Sequence, residues 1–262
     1  MHRIARIAIA ALASVGMLAS VAACGSGQST SEKNGTIEVA ASVNQWGTVA
    51  KALGGDNVNV TSIINSTNVD AHDYEPTTSD IAKLQKAQVI IVNGAGYDTW
   101  AVKATQTANA TIVNAAEIGG VNDGENPHVW FSADVRKAVA QAITEAYEQA
   151  DAAKKNDFDK MNDQWTAEEN NVESKIAEVK QKTDGLAYAA TESVASYLAE
   201  DMGLADATPS GYARATANES EPTPTDIKQF TDALKADEIK LLVVNTQEES
   251  ELTDKITDAA KS

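Results

Sequence analysis

Histidine is scarce in this chain, and its placement is the first chemical clue. Of three histidines in 262 residues, His2 lies in the N-terminal leader, which leaves His72 and His128. One stands in Asp70-Ala71-His72-Asp73-Tyr74-Glu75-Pro76 and the other in Asn126-Pro127-His128-Val129-Trp130. Each falls between an expected strand and the next helix, where parallel sheets gather their functional groups. Imidazole nitrogen suits divalent transition metals, and nearby carboxylates raise its basicity or complete the coordination shell. For either histidine alone, an ordinary surface or hydrogen-bonded role is the competing reading. Two in equivalent positions, in a mature chain with no others, improve the case for ligation.

Cys24, the only cysteine, carries a different chemistry. Arg3 and Arg6 precede an apolar run over residues 7–21, which ends in Val21-Ala22-Ala23-Cys24-Gly25. Small residues directly before a cysteine fit lipoprotein processing, with residues 1–23 as the signal peptide. The apolar run is too short for a spanning helix of about 20 residues. A lone cysteine cannot form an internal disulfide, whereas diacylglycerol on Cys24 would turn it into a membrane tether. The expected location is therefore the outer face of the cell membrane, extracellular or periplasmic. A soluble secreted protein with an incidental cysteine is the alternative.

The elements that must position the histidines alternate. Beyond a polar tether over residues 24–36, strands are expected at 37–41, 58–64, 89–92 and 111–113. Helices are expected at 45–53, 79–84 (capped by Ser79 or Thr78), 99–106 and 133–150. This alternation argues for an α/β lobe over residues 37–150. Residues 151–183 form a linking helix, with Phe158, Met161, Trp165, Val172, Ile176 and Val179 as a thin apolar stripe read as core packing. A second α/β lobe follows over 184–262. Its strands are expected at 186–190, 205–208 and 241–244, and its helices at 194–202, 225–233 and 249–260. A rigid bridge between two lobes puts a ligand site in the interlobe cleft.

Composition narrows the partners. Without residues 1–23 the chain keeps 19 basic and all 38 acidic side chains, for a net charge of −19. Such a surface disfavours nucleic acid and draws cations toward a cleft. The 43% hydrophobic content is enough for one large core or two smaller ones.

These segments together resemble the metal-binding solute receptors of zinc and manganese ABC importers, the cluster A-I family. Residues 70–80 are similar to that family's Asp-Pro-His-x-Tyr-Glu-Pro signature, with Ala71 in place of the proline. Asn93-Gly94-Ala95-Gly96 fits the segment after it, and Asn126-Pro127-His128-Val129-Trp130 matches the second histidine motif. Thr191-Glu192-Ser193 occupies the third ligand segment, and Glu221-Pro222-Thr223-Pro224 resembles a proline motif before a C-lobe helix. The resemblance implies His72 and His128 as ligands from the N-lobe and Glu192 from the C-lobe. By itself the sequence says only that Glu192 follows a strand and starts a helix, where the helix dipole also favours an acid. The implied cargo is Mn²⁺ or Zn²⁺, and two imidazoles with a carboxylate form a harder site than three imidazoles. Glutamate at the third position is the manganese-type pattern. The histidine-rich loop of many zinc receptors is missing, since residues 115–125 offer only Glu117, Asp123 and Glu125 as charged groups.

A fourth ligand in the family is an acid near the C-terminus, after one more strand. Here the chain is expected to be a fragment, truncated in the C-lobe; otherwise Glu248 or Glu249 takes the role, or a water fills the position. The implied function is extracytoplasmic capture of a divalent metal by a lipid-anchored monomer and delivery to an ABC permease membrane subunit, with no enzymatic step. A surface adhesin and a metal-dependent hydrolase are the competing readings. The hydrolase lacks support, since no HExxH arrangement occurs.

Overall fold

The computed structural model describes residues 35–66, 69, 71–218, 220–247 and 250–261. Cys24, Asp70, Glu248 and Glu249 lie outside the described residues, as do the expected signal peptide and most of the tether.

Four strands form the first sheet: β1 (Ile37–Val43), β2 (Val58–Ile64), β3 (Val89–Val92) and β4 (Thr111–Asn114). They are parallel in the order β2-β1-β3-β4, with Val39 opposite both Val60 and Val89 and Ile90 opposite Ile112. Five helices accompany them: α1 (Asn44–Gly54), α2 (Thr78–Lys86), α3 (Thr99–Thr105), α4 (Ala115–Ile118) and α5 (Ala133–Ala150). Alternate strand residues serve opposite faces. Val39, Ala41, Val43, Val89 and Ile91 pack with Trp46, Leu53, Ile143 and Tyr147 of α1 and α5. Ala40, Ile90 and Val92 pack with Leu84 of α2 and Ala101 of α3. Both faces are covered, so the central strands read as continuous apolar runs rather than alternating ones.

Helix α6 (Lys155–Thr183) bridges to the second lobe. It runs antiparallel to α5, anchored by Phe158, whose ring lies 5.4 Å from that of Tyr147, and by an ion pair from Arg136 to Glu169. The apolar stripe packs only in its first half, because Val172 and Val179 are 45% and 40% exposed. At 1.5 Å per residue, the 29 residues of α6 reach about 43 Å and the 18 of α5 about 27 Å, so α6 runs on past its partner.

Three parallel strands make the second sheet: β5 (Ala187–Ala190), β6 (Ala205–Asp206) and β7 (Leu241–Val243), in the order β6-β5-β7. Four helices flank it: α7 (Ser196–Asp201), α8 (Ser210–Ala217), α9 (Pro224–Lys235) and α10 (Glu251–Lys261). Tyr212 of α8 and Phe230 of α9 meet edge to face at 4.8 Å beside Ile256 of α10. The molecule is thus two α/β lobes joined by a long helix.

Local chemistry adjusts several expected boundaries. Thr77, not Ser79 or Thr78, caps α2, because only Thr77 has an acid three residues on, and the Asp80 carboxylate closes a capping box. Thr223 and Asp226 do the same for α9, with Pro224 as its first residue. The helix expected at 194–202 splits into a 3₁₀ turn over Ser193–Ala195 and α7. Helix α8 was not anticipated, having Tyr212 as its only buried residue and hence little periodic signal.

Candidate metal centre

The carboxyl ends of the N-lobe strands build one wall. The segment after β3 turns sharply, with Gly94 at φ +79°, where a Cβ would meet Asn114 Oδ1 at 2.2 Å. Asp98 holds this turn by accepting from the amides of Asn93 (2.7 Å) and Gly94 (2.8 Å). Burial pushes the Asp98 carboxyl above its ordinary range. Asn93 then reaches outward: its Oδ1 accepts from Trp46 Nε1 at 2.9 Å, and its Nδ2 donates to the Pro127 carbonyl at 2.8 Å. The end of β3 therefore fixes the residue before His128.

His72 comes from the loop after β2. Tyr74 ties that loop to α2 by donating to Asp80 Oδ2 at 2.8 Å, and burial is the main reason its phenol is pushed up to about 12. Tyr97, carried by the β3 turn, packs edge-on against His72 at 4.6 Å and lies 5.7 Å from His128. Trp130 completes an aromatic backing 5.2 Å from His128.

His128 itself is buried and oriented by its own segment. Its Nδ1 lies 2.7 Å from Asn126 Oδ1, an acceptor, so Nδ1 carries the proton and Nε2 presents its lone pair. Asn126 also reaches the other lobe: Nδ2 donates to the Ser193 carbonyl at 2.9 Å, and the Asn126 carbonyl accepts from Tyr197 OH at 2.8 Å.

Glu192 leaves the end of β5 in extended conformation. Its side chain makes no capping bond to the following 3₁₀ turn. Instead Oε1 stands 3.5 Å from His128 Nε2, and Oε2 accepts from Asn245 Nδ2 at 2.5 Å. Burial alone would raise the Glu192 carboxyl, but its contact with His128, the hydrogen bond from Asn245 and the nearness of His72 outweigh it and leave the group below its usual value.

The three residues anticipated as ligands thus come together. One ligand atom each from His72, His128 and Glu192 lies within 4.8 Å of the others. A neutral imidazole nitrogen and a carboxylate oxygen facing each other are two lone-pair donors, which a cation between them satisfies. Two nitrogens and an oxygen suit a divalent transition metal. The group lines a cleft of about 1000 Å³, walled also by Glu125 and Pro127 of one lobe and by Thr216 and Glu221 of the other. Asn126, Asn245 and Tyr97 also shape the site. The Asn-Pro-His spacing was the only sequence signal for Asn126, and nothing local pointed to Asn245.

Known proteins agree with this architecture. The family described as the periplasmic component A of zinc-uptake complexes (ZnuA) matches residues 39–262. The chain belongs to that family. The manganese ABC transporter substrate-binding lipoprotein PsaA of Streptococcus anginosus is 24% identical over 245 residues, covering 86% of this chain and 77% of its own. The iron ABC transporter substrate-binding lipoprotein MtsA of Streptococcus pyogenes serotype M1 is 25% identical, covering 81% of this chain and 73% of its own. The crystal structure of ZnuA superposes with a TM-score of 0.73 at 19% identity, covering 87% of this chain and 89% of that one, which establishes the shared fold.

Proposed function

We propose that this protein captures a divalent transition metal ion, Mn²⁺ or Zn²⁺, outside the cytoplasmic membrane and delivers it to the membrane subunit of an ABC permease. His72, His128 and Glu192 are the ligands in this reading. Residues 1–23 direct export, diacylglycerol on Cys24 tethers the chain through residues 24–36, and the protein acts as a monomer. The lobes span residues 37–150 and 184–262 around the linking segment 151–183. The observation that carries the reading is the convergence of three donor atoms from two lobes in the lining of one cleft. Because His72 and His128 belong to one lobe and Glu192 to the other, a small separation of the lobes lengthens the Glu192 contact and lowers affinity. Capture and release then follow from one motion, and no covalent bond of the protein needs to be made or broken.

Relatives named for manganese, iron and zinc share this fold or family, so the metal has to be decided by this chain's own donors. Zinc binds most nitrogen and oxygen sites more tightly than manganese. Elemental analysis of the purified chain, with competition titration by Zn²⁺ and Mn²⁺ in turn, tests the proposal. One ion per chain, much weakened by His72→Ala and by Glu192→Ala, is the expected result. Undiminished binding in both variants would place the ion elsewhere and overturn the reading.

A further inference from the structure

The two oxygens of Glu192 have different partners. Asn245 Nδ2 donates to Oε2 at 2.5 Å, while Oε1 is the oxygen that faces His128 Nε2. The orientation of the Asn245 amide is set by its other contacts. Its Oδ1 accepts from the Gln247 amide at 3.0 Å, which leaves Nδ2 to point at the carboxylate. Its backbone is fixed too, since Asn245 N donates to Thr191 Oγ1 at 3.1 Å and Thr191 N donates to the Val243 carbonyl at 3.0 Å. The ends of β5 and β7 are thereby tied together, and the amide is held over one edge of the carboxylate.

Coordination number follows from this. A carboxylate with both oxygens free can occupy two positions around an ion, whereas an amide that takes one lone pair of one oxygen and pins its direction favours ligation through the other. Together with His72 and His128, the described residues then supply three donor atoms. A tetrahedral ion then has one position left, which a single further ligand such as a water would fill. An octahedral ion lacks three, and hard cations such as Mn²⁺ prefer oxygen-rich, higher-coordinate shells. We propose that Asn245 is a selectivity-determining positioning residue, which restrains Glu192 to single-oxygen ligation and biases the site toward four-coordinate Zn²⁺ over Mn²⁺. This rests on the ligand assignment proposed above.

The test compares wild type with Asn245→Ala, which removes the donor, and Asn245→Asp, which retains an acceptor for Gln247 N but offers no hydrogen to Glu192. Affinities for Zn²⁺ and Mn²⁺ are measured by competition on the full chain, and X-ray absorption reads the coordination number of bound zinc. Replacing groups that hold a ligand typically alters metal affinity by 10–100-fold, so a shift of the Mn/Zn affinity ratio by about tenfold toward manganese is expected in both variants. Zinc should move from four toward five coordination. A ratio unchanged in Asn245→Ala, with a shift in Asn245→Asp alone through its added carboxylate, would overturn the inference while the ligand assignment stood. Absence of ion binding in wild type, or binding untouched by His72→Ala and Glu192→Ala, would overturn both.

Discussion

Asn126 joins two tasks in one side chain, and separating them gives the most informative perturbation. Its Oδ1 orients the His128 imidazole at 2.7 Å, while its Nδ2 spans the lobes to the Ser193 carbonyl at 2.9 Å. Asn126→Ala removes both contacts but leaves the backbone bond from Tyr197 OH in place. Loss of a partner that orients a metal-binding histidine costs about 10–100-fold in affinity, or about 1.4–2.7 kcal/mol. Loss of the interlobe hydrogen bond adds about 0.5–1.5 kcal/mol. The alanine variant should therefore bind metal roughly 30- to 1000-fold more weakly than wild type. Asn126→Asp keeps an acceptor for Nδ1–H and loses only the bond to Ser193, so its affinity should fall by no more than about tenfold, since one such bond contributes about 0.5–1.5 kcal/mol. Competition titration against a metal-binding dye measures all three proteins, and thermal melting checks that each is folded. An alanine variant within threefold of wild type would refute the orienting role. If the aspartate variant were as weak as alanine, the interlobe bond rather than imidazole orientation would carry the effect.

Two further perturbations probe the scaffold. Arg136 on α5 donates through Nε to Glu169 of α6 at 2.9 Å and through Nη1 to the Trp130 carbonyl at 3.0 Å, so it links the bridging helix to the His128 segment. Arg136→Met should strand a buried carboxylate and destabilise the fold by about 3 kcal/mol, readable as a lowered denaturant midpoint; the double variant with Glu169→Leu should recover most of that loss, and no recovery would contradict the pairing argument. Asp80 supplies a pH signature. The Thr77 hydroxyl, followed by the Tyr74 hydroxyl and the Thr77 amide, outweighs burial and holds the Asp80 carboxyl well below the usual range. A depressed folded-state pKa gives stability that is fully present above the unfolded value of about 4 and is lost as pH falls toward the folded one. Asp80→Asn should thus be less stable than wild type by about 1 kcal/mol at neutral pH, the size of a lost cap, with the difference vanishing in strong acid. Urea midpoints that stay parallel down to the acid limit would contradict that assignment.

Much of the scaffold was legible in the chain itself, because its causes are local. Strands β2 and β3 and helix α5 fall on the residues expected, since a continuous apolar run or a sustained helical period depends on near neighbours alone. The two histidines announced themselves by scarcity and matching context. Where several local solutions competed, as among Thr77, Thr78 and Ser79, a contact three residues away decided. Helix α6 marks the limit: its stripe continues to Val179, but Val172 and Val179 stay 45% and 40% exposed, because apolar spacing alone does not say what lies opposite. The site lies beyond that limit too. Asn126 meets Ser193 across 67 positions and Asn245 meets Glu192 across 53, and no local pattern encodes either contact. Sequence determined the elements and the donor types because hydrogen bonding and apolar periodicity act within a few residues. Which oxygen of Glu192 is free, which nitrogen of His128 is presented, and how near they stand were decided only when the strand ends of two lobes were brought face to face.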